Sequence, residues 1–434
     1  MPLFTIPNRL DKQADSAIVK KTKSTKKQAV SRSNSLLDKI ERIRSTVNNL
    51  LGKYANDYLL IQDIQTLENY INASIENKVI SIDTETSGLD PMLDKLVGIC
   101  IYTPNQPAAY IPLNHTSYIT NNKVDSQLDF DMVRKQFECL LTHKPDIIMF
   151  NAKFDIRFMR NQLGLKDIYC TWDCYLASRL LNENEPKKGL KALHQKYILK
   201  DAEDEFSFDA LFNGVEFSKV PITTAYLYAA HDAIITYELY EFQKQYLDLN
   251  SEREDMRGVA WVFFNIEMPC VSVVCDMEDN GIELDMDYAH KLSVEYNKRL
   301  VESEKAVRAE IDKYADKVEQ YKARNANHKL DEPINFNSTT QLAILLYDIL
   351  KIEPPDPKSP RGTGVEILTK IDNPICKAVL DYRANAKLIS TYIDKLPKCV
   401  NPNDGRIHCS FNQYGADTGR FSSSDPNVNW ALVA

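Results

Sequence analysis

The sequence predicts an α/β domain followed by a mostly helical region. Three strand-like runs, at residues 79–83, 95–102 and 108–114, are separated by short connections, which favours an antiparallel meander. Residues 146–150 form a further short apolar run of the kind found in buried strands. Helical patterns occur around these runs, for example at residues 130–141. A sheet of mixed direction covered by helices is an α/β layer architecture.

Helical patterns also dominate the second half of the chain. Residues 288–322 form a long, charged stretch with apolar residues at helical spacing, and residues 338–350 and 375–396 continue this pattern. Polar and proline-rich breaks separate these segments, the clearest at residues 354–357. Long helices joined at a loop-bearing tip suggest an arm, although a coiled coil or a partner-binding module gives the same pattern.

Composition indicates a soluble protein with reduced thiols. The 434 residues carry a net charge of −8, nine scattered cysteines without CxxC pairs, and seven histidines without metal-ligand spacing. We see no apolar run of membrane-span length and no signal peptide, and so expect a cytoplasmic protein with no membrane partner. The first 60 residues hold 12 Lys and Arg against 5 Asp and Glu, and we expect residues 1–55 to be a basic, disordered tail. Such a tail could contact phosphates or serve solubility alone.

Two acids at the end of the first strand, Asp83 and Glu85, are the most informative residues. The preceding run, Val79-Ile80-Ser81-Ile82, is rich in β-branched residues and indicates a buried strand. Residues two apart on a strand project from the same face, so both carboxylates emerge together. Adjacent anions repel each other and need a cation, for which Mg²⁺ or Mn²⁺ with oxygen ligands is the natural candidate. Because an isolated Asp-x-Glu is more often a solvated turn, the assignment depends on further clusters.

Two later clusters complete the set. Asn151-Ala152-Lys153-Phe154-Asp155 directly follows the buried strand, at a strand-to-helix junction where functional groups are commonly presented. Tyr228 and Asp232 lie four residues apart within a helical run at residues 222–247, so they share one helix face. Four acids and a tyrosine, from three distant stretches, can therefore converge on one pocket.

This set resembles the DEDD-type 3′→5′ exonucleases, in the subgroup with a tyrosine four residues before the last aspartate. The resemblance covers residues 60–250 and implies a ribonuclease-H-like fold that uses two divalent metal ions, Mg²⁺ or Mn²⁺, to hydrolyse phosphodiester bonds. By resemblance, Asp83 would bridge the two metals. Glu85 and Asp232 would complete the first metal site, and Asp155 would hold the second. Tyr228, assisted by Glu85, would orient the attacking water.

The resemblance also implies a cleft for a single-stranded 3′ end. Stacking and backbone contacts in such clefts accept any base. Leu89, Asn151 and Phe154 would line this cleft, with Leu89 wedged against the terminal base. These motifs alone do not distinguish a proofreading enzyme from one that trims RNA.

Motifs in the second half resemble the DNA polymerase I-type (family A) DNA polymerases. Residues 266–269, 336–342 and 382–397 resemble segments of the thumb, and residues 405–408 and 418–427 resemble the entry to the palm. The last decapeptide, Thr-Gly-Arg-Phe-Ser-Ser-Ser-Asp-Pro-Asn, is highly specific. The 5′-nuclease domain of many bacterial relatives is absent, as in phage-type members, which implies a bacterial or phage-infected host cell.

The polymerase resemblance assigns contacts with primer–template DNA. Minor-groove acceptors occur at equivalent places in every base pair, so Arg420 would read the geometry of the primer end and not its sequence. For Arg383 and Lys387 an exposed helix face is the alternative. The DNA-binding residues expected in this half are Asn337, Ser338, Thr339, Arg383, Lys387, Arg420, Ser422, Ser423 and Asn427.

The polymerase resemblance stops after Val428, before the palm aspartate, the fingers helix and the later His-Asp-Glu motif. We therefore expect the chain to degrade 3′ ends and to bind primer–template weakly, but not to extend primers alone. An interrupted gene or a shortened chain would explain this, and a second polypeptide could carry the rest. The alternatives are a free-standing exonuclease acting on RNA and a non-catalytic DNA-binding fragment. The expected domains are the tail (1–55), the exonuclease (56–250), the thumb (251–401) and the incomplete start of the palm (402–434).

Overall fold

A six-stranded sheet of mixed direction forms the centre of the first half of the chain in this computed structural model. The strands are β1 (Tyr58–Leu60), β2 (Val79–Thr86), β3 (Leu96–Tyr102), β4 (Ala108–Pro112), β5 (Asp146–Met149) and β6 (Trp172–Asp173). They lie in the order β1-β4-β3-β2-β5-β6. β2, β3 and β4 form the predicted antiparallel meander, and β5 runs parallel to β2 on its other side. The predicted α/β fold class is confirmed.

The structure describes most of the chain after the basic N-terminal stretch. Residues 1–35, which hold most of the predicted tail, lie outside the described residues. The described ranges are 36–52, 55–186, 189–200, 211–212, 214–416 and 419–428.

Seven helices accompany this sheet in the described residues up to 250. They are α1 (Leu36–Leu51), α2 (Ile64–Asn77), α3 (Phe130–Thr142), α4 (Ala152–Phe158), α5 (Cys174–Leu181), α6 (Leu190–Tyr197) and α7 (Ile222–Gln243). α2 begins where the Asp63 carboxylate accepts a hydrogen bond from the Thr66 backbone N–H, 2.9 Å away. α7 is apolar on most of its surface, because it packs across β2, β3 and β4 and also contacts α1 and α6.

Helix α1 corrects the predicted disordered tail. Residues 36–51 are helical, and Ile40, Ile43, Val47 and Leu51 are buried in the core that α7 shares with the sheet. Their spacing of three or four residues places them on one face of the helix. The prediction for residues 1–55 is therefore wrong over this helix, because the basic charge of the region concealed a short amphipathic pattern.

The first compact unit continues past residue 250, where the exonuclease domain is expected to end, and extends to Asp279. A continuous helix, α8 (Glu254–Asn280), with a π-helical turn at Phe263–Glu267, packs Ala260, Phe263 and Cys275 into the same core as the sheet. The apolar character of this helix contradicts the expectation that no apolar run reaches the length of a membrane span. Its length and mean hydropathy of 1.6 would suit a membrane span by composition alone, a criterion that core helices of soluble proteins also meet.

Buried ion pairs fasten the end of α8 to α4. Glu278, with 2% of its side chain exposed, lies 2.8 Å from both the Lys153 ammonium and the Arg157 guanidinium. The same guanidinium lies 2.7 Å from the Asp279 carboxylate. Lys153 and Arg157 flank Asp155 on α4, so these pairs fix the helix that carries a predicted metal ligand.

The second compact unit comprises Asn280–Asn412 and the described residues from Ser422 onward. Its core holds the fully buried Phe336, Leu345 and Cys376. Its α-helices are Met286–Asp312, Ala315–Arg324, Thr339–Ala343, Val365–Leu368 and Pro374–Leu388. π-Helical turns follow at Ile344–Ile349 and Ile389–Ile393, and a 3₁₀ turn at Leu396–Cys399. The first unit also has a 3₁₀ turn, at Phe217–Lys219. Short strands are Ile282–Glu283, Arg406–Ile407, Ser410–Asn412 and Ser422–Ser424.

The expected division between thumb and palm at residue 401 falls within one compact unit. Ile282, at the start of the second unit, pairs antiparallel with Ile407, so residues on both sides of the predicted boundary share one small sheet. Residues Gln413–Phe421, predicted as palm, belong to the first unit. There the Gln413 amide donates a hydrogen bond to the Glu267 carboxylate, at 2.7 Å.

Replacing Glu278 with alanine is expected to destabilise the first unit by about 3–5 kcal/mol, because the substitution leaves buried cations incompletely paired. The measurement is urea unfolding of the full chain followed by circular dichroism. Asp276→Ala is the matched control on the same helix: its carboxylate is 63% exposed and pairs only with Arg160 among the described residues, so its loss should cost less than about 1 kcal/mol. Equal effects of the two substitutions would contradict a special role for Glu278.

Candidate metal centre

Asp83 and Glu85 lie on the same face of β2, as their spacing predicts. β2 pairs with β3 so that Asp83 is opposite Cys100 and Glu85 is opposite Gly98. One oxygen of each acid and the Cys100 sulfur all lie within 4.8 Å of one another. The register shifts directly after Glu85, so the pair sits where the regular ladder ends.

Asp155 is buried on α4 and attached directly to β2. Its Oδ1 accepts hydrogen bonds from the Thr84 backbone N–H, at 2.9 Å, and from the Thr84 hydroxyl, at 2.7 Å. Thr84 lies between Asp83 and Glu85 in the chain. These two bonds therefore fix the third carboxylate beside the strand that carries the first two.

A tight turn before α4 makes this placement possible. Asn151 has a φ of 62°, in the left-handed region that asparagine tolerates better than most residues. The backbone N–H groups of Asn151 and Ala152 donate to the two carboxylate oxygens of Asp173, at 2.9 and 2.8 Å. Asp173, at the end of β6, thus satisfies the first free N–H groups of α4 and sets the direction in which that helix leaves the sheet.

Tyr228 and Asp232 lie one turn apart on α7, and a lysine from α6 contacts both. The Lys191 ammonium is 2.8 Å from Asp232 Oδ1 and 3.0 Å from Oδ2. The same ammonium lies 3.7 Å from the centroid of the Tyr228 ring, within the range of a cation–π interaction. The Phe212 ring also packs edge-on against the Tyr228 ring, with ring centroids 4.9 Å apart.

The four acids are close enough to perturb one another. Burial is the largest cause that raises the pKa of Asp83, and the charges of Asp155 and Asp232 raise it further. Burial followed by the Asp232 charge raises the pKa of Glu85, and the Lys191 ammonium opposes both shifts. Burial raises the pKa of Asp155 to about 7, although its hydrogen bonds with Thr84 act in the opposite direction.

The donor set suits hard divalent cations. Four carboxylates supply only oxygen ligands and up to four negative charges, which match the preference and the combined charge of two Mg²⁺ or Mn²⁺ ions. The Lys191 ammonium, 2.8 Å from Asp232 Oδ1, is the cation that this carboxylate contacts among the described residues.

The predicted cleft residues occupy different environments. Leu89, in the turn after β2, has 84% of its side chain exposed, which is unusual for leucine. Phe154 is half-buried on α4 and packs against Phe158 with ring centroids 4.9 Å apart. Asn151 contributes through its backbone, as described, and is itself half-buried. A leucine exposed to this extent, four residues after Glu85 in the chain, is accessible to a ligand.

Two of the predicted polymerase-half contacts are engaged within the protein. The Arg383 guanidinium is partly buried and donates to the carbonyl oxygens of Thr363, at 2.5 Å, and Phe336, at 3.4 Å. The buried Ser423 hydroxyl accepts a hydrogen bond from the Val428 backbone N–H at 2.9 Å. Both side chains therefore hold loops of the second unit together, and neither is an exposed helix position.

The remaining predicted contacts are accessible to different degrees. The Ser338 hydroxyl caps the helix Thr339–Ala343 by accepting from the Gln341 N–H. Ser422 is half-buried in a short strand. The exposed members of the set are Asn337, Thr339, Lys387, Arg420 and Asn427.

Sequence reasoning missed three residues of this centre. In the sequence, Lys191 looks like an ordinary solvent-exposed helix residue. Thr84 and Asp173 hold the site through hydrogen bonds to distant parts of the chain, which become visible only in the folded structure. The single available signal was Thr84, which lies between two predicted ligands. A lysine separated from Asp232 by 41 residues gave no local pattern.

Replacing Lys191 with methionine is expected to raise the affinity for Mn²⁺ by on the order of tenfold, because the substitution removes a competing positive charge from the acidic cluster. Mn²⁺ binding would be measured by electron paramagnetic resonance. Lys196→Met is the matched control, since Lys196 lies on the same helix but pairs with Glu185. Unchanged or weaker Mn²⁺ binding in the Lys191 variant would contradict this role.

The metal-free chain is expected to lose stability as the pH rises from about 6.5 to about 8. The raised pKa of Asp155, about 7, means that the native chain binds a proton that the unfolded chain, with a value near 3.8, has already lost. The unfolded state therefore binds fewer protons in this window, and the free energy of unfolding falls with pH. Burial lowers the pKa of His115 to about 4, so that histidine acts below this window.

Thermal unfolding at several pH values, with EDTA and with excess Mg²⁺, tests this expectation. Bound Mg²⁺ should remove the fall, because it neutralises the ionised carboxylates. Asp155→Asn should flatten the pH dependence of the metal-free chain. A melting temperature that rises with pH over the window would show that the acids are not buried together.

Two segments of the chain match known protein families. Residues 58–247 match the 3′-5′ exonuclease family, and residues 302–430 match DNA polymerase family A. DNA polymerase I of Chloroflexus aurantiacus is 30% identical over 388 residues, covering 85% of this chain and 37% of that protein. DNA polymerase I of Pseudomonas aeruginosa is 30% identical over 386 residues, covering 86% of this chain and 38% of that protein. The chain thus spans well under half the length of the curated relatives it matches.

A solved structure resembles the chain in fold. The POL domain of Pol1 from M. smegmatis, in a complex with DNA primer-template and dNTP, aligns with a TM-score of 0.59 and 18% identity, over 86% of this chain and 55% of that chain. The motif-based family prediction is therefore confirmed at the level of its two segments: one matches the 3′-5′ exonuclease family and the other matches part of DNA polymerase family A.

Proposed function

We propose that this chain removes nucleotides from the 3′ end of DNA by metal-dependent hydrolysis, the proofreading activity of a family A DNA polymerase. The observation that carries the proposal is the cluster of four interacting acids within the segment that matches the 3′-5′ exonuclease family: the buried Glu85 and Asp155 and the half-buried Asp83 and Asp232. DNA as the substrate is supported by the similar Pol1 domain, whose structure contains a primer-template.

Asp83, Glu85, Asp155 and Asp232 would hold two divalent ions, Mg²⁺ or Mn²⁺. When bound, such a pair activates a water for attack and stabilises the departing 3′ oxygen. Asp83 lies beside Glu85 on β2 and interacts with the charges of Asp155 and Asp232, so it is the acid best placed to serve both ions.

Tyr228 would orient the attacking water without taking its proton. Burial, together with the charges of Asp232 and Glu85, raises the pKa of Tyr228 far above its usual value, so the hydroxyl stays protonated at neutral pH. A protonated hydroxyl can donate one hydrogen bond and accept others, which fixes the position of a water. Its position one turn before Asp232 on α7 keeps that hydroxyl beside a metal ligand.

The substrate strand would be held by contacts that ignore base identity. Leu89, exposed after β2, would pack against the terminal base, and stacking of this kind accepts any base. In the second unit, the exposed Lys387 would contact phosphates of a primer–template. Arg420 in the first unit, also exposed, would contact the primer end.

Asp83→Asn is expected to lower the rate of Mg²⁺-dependent digestion of single-stranded DNA by more than about 100-fold, since loss of a partner outside the ligand shell alone costs up to that much. The assay uses an oligonucleotide labelled at its 5′ end, on which 3′→5′ digestion produces a ladder of progressively shorter labelled products. Asp146→Asn is the matched control: Asp146 is exposed at the opposite end of the neighbouring strand β5, and its loss should leave the rate unchanged.

Three outcomes would overturn the proposal. Equal digestion by the Asp83 variant and the unsubstituted chain would assign the activity to a contaminant or another site. Immediate release of the labelled terminal nucleotide would indicate digestion from the 5′ end. Faster digestion of an RNA oligonucleotide of the same sequence would identify an RNA-trimming enzyme.

A further inference from the structure

A cysteine lies among the acids of the proposed metal centre. Cys100 is on β3, directly opposite Asp83 in the antiparallel ladder. Directly opposed residues on neighbouring strands project from the same face of a sheet. The Cys100 sulfur and one oxygen each of Asp83 and Glu85 lie within 4.8 Å of one another. Within the described part of the chain this is the only group of three or more such side chains close enough to hold one metal ion.

Cys100 differs from the other buried cysteines of the first unit. Cys174 and Cys275 point their thiols at the carbonyl oxygens of Thr236 and Lys153, at 3.5 and 3.9 Å. The fully buried Cys100 thiol has no hydrogen-bond partner among the described residues, although it faces two carboxylates.

The carboxylates opposite Cys100 are also without donors. No described residue donates a hydrogen bond to the side chain of Asp83 or Glu85, whereas Asp155 accepts two from Thr84 and Asp232 accepts one from Lys191. Three polar side chains that are buried or half-buried, close together and lacking donors form a set that a cation would complete.

We propose that Cys100, Asp83 and Glu85 bind a thiophilic divalent cation, of which Zn²⁺ is the physiological representative. The inference rests on the proposed function, since two of the three ligands are those of the nuclease centre. Binding forms a metal–sulfur bond as the S–H bond breaks, and the proton leaves to water. No electron is transferred. The three ligands then carry three negative charges against the two positive charges of the ion.

The thiol makes the centre respond differently to hard and soft ions. Mg²⁺ prefers oxygen ligands, so in its presence Cys100 stays a neutral thiol, and burial and the Asp83 charge both raise the pKa of that thiol. Zn²⁺, Co²⁺ and Cd²⁺ accept sulfur ligands and displace the thiol proton. A centre without the cysteine would bind both kinds of ion through oxygen alone. Cys100 therefore gives the centre a higher affinity for Zn²⁺ than its carboxylates alone would provide.

The experiment is a Co²⁺ titration of the full chain without DNA. Thiolate bound to Co²⁺ produces an intense ligand-to-metal charge-transfer absorption in the near ultraviolet, which carboxylate ligands do not. We expect this band in the unsubstituted chain and its loss in Cys100→Ser. Zn²⁺ should displace Co²⁺ from the chain, and Cys100→Ser should weaken Zn²⁺ binding by about tenfold or more, a change of at least 1.4 kcal/mol. Mn²⁺ affinity should change by less than about twofold.

Cys174→Ser is the matched control, because Cys174 is an equally buried cysteine of the first unit with its own carbonyl partner. This variant should retain the band. If Cys100→Ser does not fold, as judged by circular dichroism, Asp83→Asn replaces it, and that variant should weaken the band while Cys100 remains.

The inference is overturned if the unsubstituted chain shows no band, or if the band survives in Cys100→Ser. Cys100 would then be a core residue that only packs against its neighbours. These results are separate from the nuclease test. A chain that digests DNA with Mg²⁺ but gives no band keeps the proposed function and loses this inference. A chain that gives the band but does not digest DNA keeps this inference and loses the proposed function.

Discussion

Mutual repulsion among Asp83, Glu85, Asp155 and Asp232 is the constraint around which the first unit is built. Each acid comes from an element with its own reason to be rigid: a central strand, a helix tied to that strand, and a helix packed across the sheet. Burial removes the water that would otherwise screen these charges, which is why three of their pKa values are raised. The apolar packing of the sheet and helices has to outweigh this cost before any cation arrives.

The protein offsets part of that repulsion with its own groups. The Lys191 ammonium contacts Asp232 and the face of Tyr228, and the N–H and hydroxyl of Thr84 bind Asp155. The Asp173 carboxylate instead accepts hydrogen bonds from the backbone N–H groups at the start of α4. These contacts place the charges, but a single lysine cannot neutralise four carboxylates. The negative charge that Lys191 leaves unbalanced favours the binding of divalent cations.

The sequence predicted the acids because each one follows a short-range rule. Strand alternation related Asp83 to Glu85, and helical spacing related Tyr228 to Asp232, and neither required knowledge of the fold. Cys100 depends on strand register, which short patterns do not fix, although the meander itself was predicted correctly. The helix at residues 36–51 was hidden by its charged surface, and the extent of the first unit was missed because α8 packs back into its core. Long-range packing decided these features.

The hydrogen bonds of Asp155 make its two oxygens unequal. Oδ1 already accepts from both donors of Thr84, so the other oxygen is the one that faces any neighbour freely. A carboxylate anchored in this way would offer one ligand oxygen to a metal ion and would not bind it through both oxygens. An ion bound to that oxygen would keep several waters in its coordination shell, as Mg²⁺ commonly does in proteins. Asp155 would therefore bind an ion more weakly than Asp83 and Glu85, which can offer their oxygens together.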